Sequence, residues 1–315
     1  MRRLLLVGCL LLPACAASPG RAPGASGEPP RRTDAPTTQP KTAGPLSRRE
    51  AEAYGLLLIN RDRAAHDLPA VRWDGVAARA AERHVADMAS RGFTAHWGSD
   101  GSTPEQRYTE AGGEDITTEN AGCYGDGTTR EITLDGPFDA EAIERFQAAF
   151  MNETPPADGH RKNILDPHHT SVGLAFATSR GSNVVCVAQE FVDDYGSYAP
   201  LPRKAPRGAS VEIAGEVRAP ALFGGVALAV GPAPRPIPVA KLLETGSYSM
   251  HESYVQYYPK GWKTPKPVEV TGARFSISLA LGDKGPGLYE VQIYAKLPGE
   301  GDLLKPISLR TVLVE

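Results

Sequence analysis

Asn152-Glu153-Thr154-Pro155-Pro156-Ala157-Asp158-Gly159-His160-Arg161-Lys162-Asn163-Ile164-Leu165 sets a carboxylate and an imidazole seven positions apart, with a Pro-Pro break between them. In an unbroken helix Glu153 and His160 would stay two turns apart. Proline lacks the amide donor and crowds the preceding turn, so the chain must leave the helix after Glu153. His160 is then free to fold back toward Glu153. A second such pair lies upstream, His96 in Phe93-Thr94-Ala95-His96 and Glu119 in Thr118-Glu119-Asn120. Two histidines and two glutamates on four segments are what a shared polar cavity needs.

Working outward, a series of fragments follows in a fixed order. They are Leu58-Ile59-Asn60-Arg61-Asp62-Arg63, Val71-Arg72-Trp73-Asp74, Arg83-His84-Val85-Ala86-Asp87-Met88, the His96 segment, Glu119-Asn120, Gly159-His160-Arg161-Lys162-Asn163-Ile164-Leu165, Val172-Gly173 and Ala188-Gln189-Glu190-Phe191. In that order the chain resembles bacterial CAP (SCP-like) domains, the superfamily of cysteine-rich secretory proteins, antigen 5 and pathogenesis-related 1 proteins. The resemblance spans about residues 47–198. It departs from the eukaryotic branch at Gly159-His160-Arg161-Lys162-Asn163, where those members read Gly-His-Tyr-Thr-Gln. It implies an α/β fold, an α-β-α sandwich with helices flanking a small sheet. It also implies that His96, Glu119, Glu153 and His160 form the cavity tetrad of the family.

The local pattern agrees with helices and short strands. Ser47-Arg48-Arg49-Glu50 reads as a capping box opening a helix to about Ala65, with Tyr54, Leu57, Leu58 and Arg61 at helical spacing. Asp74 is a candidate N-cap for a helix ending at Gly92, with Val76, Ala80, Ala81, Val85 and Met88 as its buried stripe. A third helix is expected over 139–151, with Ala142, Ile143, Phe146 and Phe150 inward, delivering Glu153 at its end. Short strands at 172–178 and 184–188 are joined through Gly181-Ser182-Asn183. After Pro200 the texture changes to period-two strands between Gly- and Pro-rich turns, and no helix stands out. An all-β, Ig-like or fibronectin-like sandwich is expected over 201–315. Gly287-Leu288-Tyr289 resembles a tyrosine corner.

The first fifteen residues carry the signature of export. Arg2-Arg3 precedes an apolar run from Leu4 to Leu12 that is too short to span a bilayer. Leu12-Pro13-Ala14-Cys15 reads as a lipobox, with Cys15 lipidated and the lipid bilayer as anchor; an ordinary cleaved signal peptide is the alternative. Ala16 after the cysteine points to the outer membrane in a Gram-negative source. Residues 16–46 hold seven prolines and no apolar periodicity, which describes a flexible tether. The expected location is therefore extracytoplasmic and membrane-anchored.

Residues 47–200 carry 14 basic against 25 acidic side chains, and 201–315 carry 14 against 10. An acidic first domain argues against nucleic acid as its partner, because phosphate binding needs clustered cations. Beyond the leader only Cys123 and Cys186 remain, and in an exported chain two cysteines suggest one disulfide, with a nucleophilic cysteine as the other reading.

Two imidazoles with carboxylates suit Zn²⁺ or another divalent ion, with Glu119 and Glu153 either ligating or fixing the imidazole tautomers. The alternative is a metal-free His–Glu network shaping the cavity wall. Asn120, Arg161, Asn163 and Glu190 are expected to support the cavity, as is Arg107. His84 reads as a helix-packing histidine, and His168-His169 as an exposed turn. Tyr248, Tyr254, Tyr257, Tyr258 and Trp262 form an aromatic segment expected to be partly buried in the sandwich. No Gly-x-Ser-x-Gly elbow, His-Glu-x-x-His helix, P-loop or dinucleotide fingerprint is present. The expected function is a non-catalytic surface protein whose cleft binds a divalent metal, a small apolar ligand or a cell-envelope protein or polymer. The alternative is a metal-dependent hydrolase of peptide or envelope polymer, with Glu119 or Glu153 as general base.

Overall fold

The computed structural model describes residues 42–179 and 185–315. The leader with Cys15, most of the expected tether, and the Gly181-Ser182-Asn183 turn lie outside the described residues. The end of the tether does not fit its expected role. Pro45–Leu46 (β1) pairs with Phe138–Asp139, and Leu46 is fully buried, so the first domain begins there.

Arg48–Ala64 (α1) opens on the capping box, with the Ser47 amide donating to Glu50 at 2.8 Å. Its Tyr54 and Leu58 are buried, but Leu57 is exposed. The inward stripe turns instead through Gly55 and Ile59. Gly55 is a close approach, since a Cβ there would lie 2.8 Å from Leu174. Arg72–Trp73 (β2) leads to Gly75–Arg91 (α2). Asp74 caps α2 by accepting from the Val76 and Ala77 amides, and Gly92 ends it in the left-handed region, as the sequence pattern predicts. The whole expected stripe from Val76 to Met88 is buried.

Pro104–Ala111 (α3) and Ile116–Gly122 (β3) follow, then the two-residue strands Ile132–Thr133 (β4) and Phe138–Asp139 (β5). Ala140–Met151 (α4) and Gly159–Ile164 (α5) flank the Pro-Pro break. Ser171–Ser179 (β6) and Val185–Asp193 (β7) form the centre of a sheet ordered β2-β6-β7-β3, with β4 also on β6. β2 joins β6 in parallel, and β6, β7 and β3 are antiparallel. β6 and β7 are buried along almost their full length because helices cover both faces, so neither shows polar alternation.

The second unit is a β-sandwich. It starts at Gly196–Tyr198 (β8), ahead of the boundary expected at 201, because β8 pairs with Ser210–Val217 (β10). Lys204–Ala205 (β9) and Leu222–Gly231 (β11) precede a four-residue helix, Val239–Leu242 (α6), that the strand-like texture did not suggest. Val255–Tyr257 (β12), Glu269–Thr271 (β13), Arg274–Ala280 (β14), Gly287–Lys296 (β15) and Leu304–Val314 (β16) complete the strands. The sheets run β13-β14-β10-β8 and β12-β11-β15-β16-β9. Ile213, Phe275, Ile277, Val291, Ile293 and Val312 fill the space between them. The tyrosine corner is present: buried Tyr289 donates to the Gly285 carbonyl and accepts from the Lys284 amide, both at 3.0 Å.

Candidate functional site

The first His–Glu pair forms where β3 meets the end of α2. Nδ1 of His96 lies 2.9 Å from Oε1 of Glu119, whose carboxylate is fully buried. Arg107, on α3, is itself buried; its Nη2 donates to Oε2 of Glu119 at 2.6 Å. Its Nη1 donates to the His96 and Ser102 carbonyls, each at 3.0 Å, so one guanidinium fixes both the carboxylate and the loop that carries the imidazole. Burial works against ionisation of Glu119, but Arg107, with the neighbouring imidazoles, outweighs it and holds this carboxyl well below the usual range. Glu190 sits directly across the ladder from Glu119. Burial first, and then the Glu119 charge, raise it well above the usual range, so Glu190 is the protonated member of the two. His84 packs as expected, fully buried with Nε2 2.7 Å from the Ala95 carbonyl. Burial, followed by Arg107, pushes it down to about 4, which keeps it neutral.

The second pair forms as the Pro-Pro break predicts. Glu153 accepts from Nδ1 of His160 at 2.5 Å, from the His160 amide at 2.9 Å and from the Arg161 amide at 3.4 Å. Arg161 Nη1 donates to the Met151 carbonyl at 2.7 Å, tying α5 back to the end of α4, and the His160 ring stacks on Phe150 at 4.3 Å. Asn120 spans to this side: its Nδ2 donates to the His160 carbonyl at 3.2 Å and to Gln189 at 3.1 Å. Asn163 donates to Asn120 at 2.9 Å and accepts from Thr118 at 2.7 Å. Glu119 and Asn120 are neighbours on a strand, so their side chains leave opposite faces. β3 is an edge strand, and the two His–Glu pairs are held on either side of it. Glu153→Ala should loosen this turn and cost about 1.5–3 kcal/mol, the scale of charge-assisted hydrogen bonds, read as a lower urea midpoint at unchanged slope.

The family comparison fits this geometry. The family model of CAP, the cysteine-rich secretory protein family, matches residues 56–191, which span both pairs. The chain carries a CAP domain. An outer surface protein of Borrelia burgdorferi is similar in structure at a TM-score of 0.36 and 15% identity, covering 47% of this chain and 96% of that one. An extracellular protein with an SCP domain from Bacillus anthracis is similar at a TM-score of 0.35 and 22% identity, covering 48% of this chain and 45% of that one. No curated protein matches the chain.

Within the CAP domain the tetrad stands as two carboxylate–imidazole dyads. Each Nδ1–H donates to its glutamate, which leaves each Nε2 with a lone pair. Among the described residues no three His, Cys, Asp or Glu side chains converge closely enough to hold a metal ion. Both oxygens of Glu119 and both of Glu153 are already engaged. In this arrangement the carboxylates orient the imidazoles. Asn120, Arg161 and Asn163 hydrogen bond around the His160 dyad, and Glu190 is buried across the ladder from Glu119.

Some contacts are corrections. His168 and His169 are buried, not an exposed turn: His169 lies 2.6 Å from Asp193 and 3.0 Å from Asn163, and His168 lies 2.7 Å from Glu300 of the sandwich. Tyr248 leaves the sandwich altogether. Its ring lies 5.2 Å from that of Trp97 and 6.1 Å from that of His96, and its hydroxyl donates to Glu105 at 2.7 Å. Cys123 and Cys186 form a disulfide, joining the end of β3 to β7.

Proposed function

We propose that this chain is an extracytoplasmic, lipid-anchored binding protein whose CAP cleft recognises a small ligand or an envelope partner without turning it over. The leader and its lipobox cysteine support the location and the anchor, and the Cys123–Cys186 disulfide suits an oxidising compartment. One observation carries the non-catalytic reading: every carboxylate oxygen of the tetrad is hydrogen bonded to an imidazole, a guanidinium or a backbone amide. Glu119 is fully buried and paired with Arg107, and Glu153 is spent on orienting His160 and its turn, so both carboxylates serve as anchors for imidazoles and neither is presented as a general base. The imidazoles remain as oriented hydrogen-bonding groups, His96 and His160 being 22% and 30% exposed.

Wild type and the His96→Ala/His160→Ala variant are expected to turn over a panel of peptide, ester and glycan substrates equally little. Zn²⁺ titrated calorimetrically into either should show no one-site micromolar binding. Turnover lost in Glu153→Gln with the fold intact would restore the hydrolase. A tight Zn²⁺ site lost in the double variant would restore the metal centre.

A further inference from the structure

Between β11 and β12 the sandwich gives off residues 232–254, a long excursion whose only regular element is the four-residue α6. A connection of this length with so little secondary structure is uncommon in a packed domain and usually has a task. This one crosses to the CAP domain. The Ile237 amide donates to the Ser99 carbonyl at 2.8 Å, and the Arg235 backbone lies so close to Gly101 that a Cβ there would meet it at 2.3 Å. Leu242 is fully buried among Ala81, Val85, Met88 and Phe93 of the CAP core, with Ile237 and Val239 beside it. Tyr248 then lies against Trp97 and His96, held by its bond to Glu105, before His251 returns the chain to the sandwich with Nδ1 2.6 Å from Glu290.

We propose that residues 232–254 are an intramolecular lid: the strap closes the His96 half of the CAP cleft, and a ligand approaching His96 must first displace Tyr248. The two halves of the cleft are then unequal. His160 lies against Phe150, which belongs to the CAP domain itself, whereas the aromatic neighbour of His96 comes from the other domain on a loop. The strap is attached by apolar side chains, one backbone bond at Ser99 and one side-chain bond at Glu105, contacts that can release without unpairing any strand. Opening it exposes His96 and the Glu105 carboxyl together, and couples the cleft to whatever engages the sandwich near β11 and β12.

The lid presupposes that the cleft is a binding site. Its test uses a chemical reagent and not a ligand, so the lid and the binding reading can fail separately. Diethyl pyrocarbonate acylates an imidazole nitrogen that keeps its lone pair, and mass spectrometry of the full chain reads His96 and His160 independently. In Tyr248→Ala the His96 rate should rise roughly two- to tenfold, the scale of one lost hydrogen bond, while His160 is unchanged. Tyr248→Phe, which keeps the ring but not the bond, should fall between. Equal His96 rates in all three proteins overturn the lid. Hydrogen exchange of the unmodified protein decides the matter even if a variant misfolds. The amides of Ile237, Leu242 and Leu243 should exchange through a local opening, well ahead of those in β15. If they exchange only as slowly as β15, the strap is a fixed part of the fold and the proposal fails.

Discussion

Arg107→Met is expected to destabilise the protein by about 3–5 kcal/mol, because it leaves the Glu119 carboxylate buried without its counter-ion. Both groups are out of solvent, and the guanidinium reaches Glu119, the His96 and Ser102 carbonyls and, by proximity, His84. The loss should appear as a lower midpoint in urea and a drop of roughly 6–20 °C in melting temperature, taking about 2–4 °C per kcal/mol for a unit of this size. The pH profile separates this cause from simple loss of packing. In wild type Glu119 is held well below its unfolded value, so its contribution is present above the unfolded value and is lost as pH falls. In Arg107→Met that acid-side loss should vanish or reverse. Adding Glu119→Gln to Arg107→Met should recover part of the stability, since the buried charge is then gone. An Arg107→Met protein within about 1 kcal/mol of wild type, against that buried-pair expectation, would show that the guanidinium does not anchor the site.

Glu105→Gln should remove a loss of about 3 kcal/mol that wild type suffers between roughly pH 4.5 and 7. Burial beneath the strap, with Glu290 adding to it against the Tyr248 hydrogen bond, raises this carboxyl to about 7. A raised value means that the folded state holds the proton more tightly. The stability it confers is complete below the unfolded value and disappears as pH rises through the folded one. His251, raised chiefly by its hydrogen bond to Glu290, adds a slope of the same sign, and so does Glu190. The informative quantity is therefore the difference between wild type and Glu105→Gln in urea unfolding at about pH 5 and about pH 8, on either side of that window. That difference should move in favour of the variant at the higher value. An identical difference at both would mean that Glu105 does not titrate in this window.

Much of the CAP domain was legible because its signals are local. Caps at Asp74 and Gly92, the stripe from Val76 to Met88, and the Pro-Pro break that returns His160 to Glu153 each operate within a few residues of themselves. The pairing of Cys123 with Cys186 needed only a count. Leu57 shares the helical spacing of Tyr54 and Leu58 yet stays exposed, because spacing fixes a face but not its angular width, and Gly55 lets the sheet approach one position earlier than the large side chains suggest. The contacts that close the site were not legible, because their partners are remote. Arg107 was expected to support the cavity, but its ion pair with Glu119 could not be read from spacing alone. His168 meets Glu300 across 132 positions, and Tyr248 meets Glu105 across 143. An aromatic segment within a strand-rich region gives no sign that one of its rings serves another domain. The only available clue was the proline-rich, strandless stretch after Gly231, which the period-two reading passed over.

The strand β16 carries an obligation of a different kind. Its Ser308 hydroxyl binds the Glu114 carbonyl, its Leu309 amide reaches the Asp115 carbonyl at 3.4 Å, and its Thr311 amide donates to Thr109 at 3.2 Å. These contacts lie on α3 and at the entry to β3, the open margin of the CAP sheet. A free sheet margin is a template for pairing with another copy of the same chain. The sandwich thus covers the entry to a strand on that margin. The border near Gly196 is consequently a seam in topology but not in surface. A CAP unit cut there would carry an edge that the whole chain conceals.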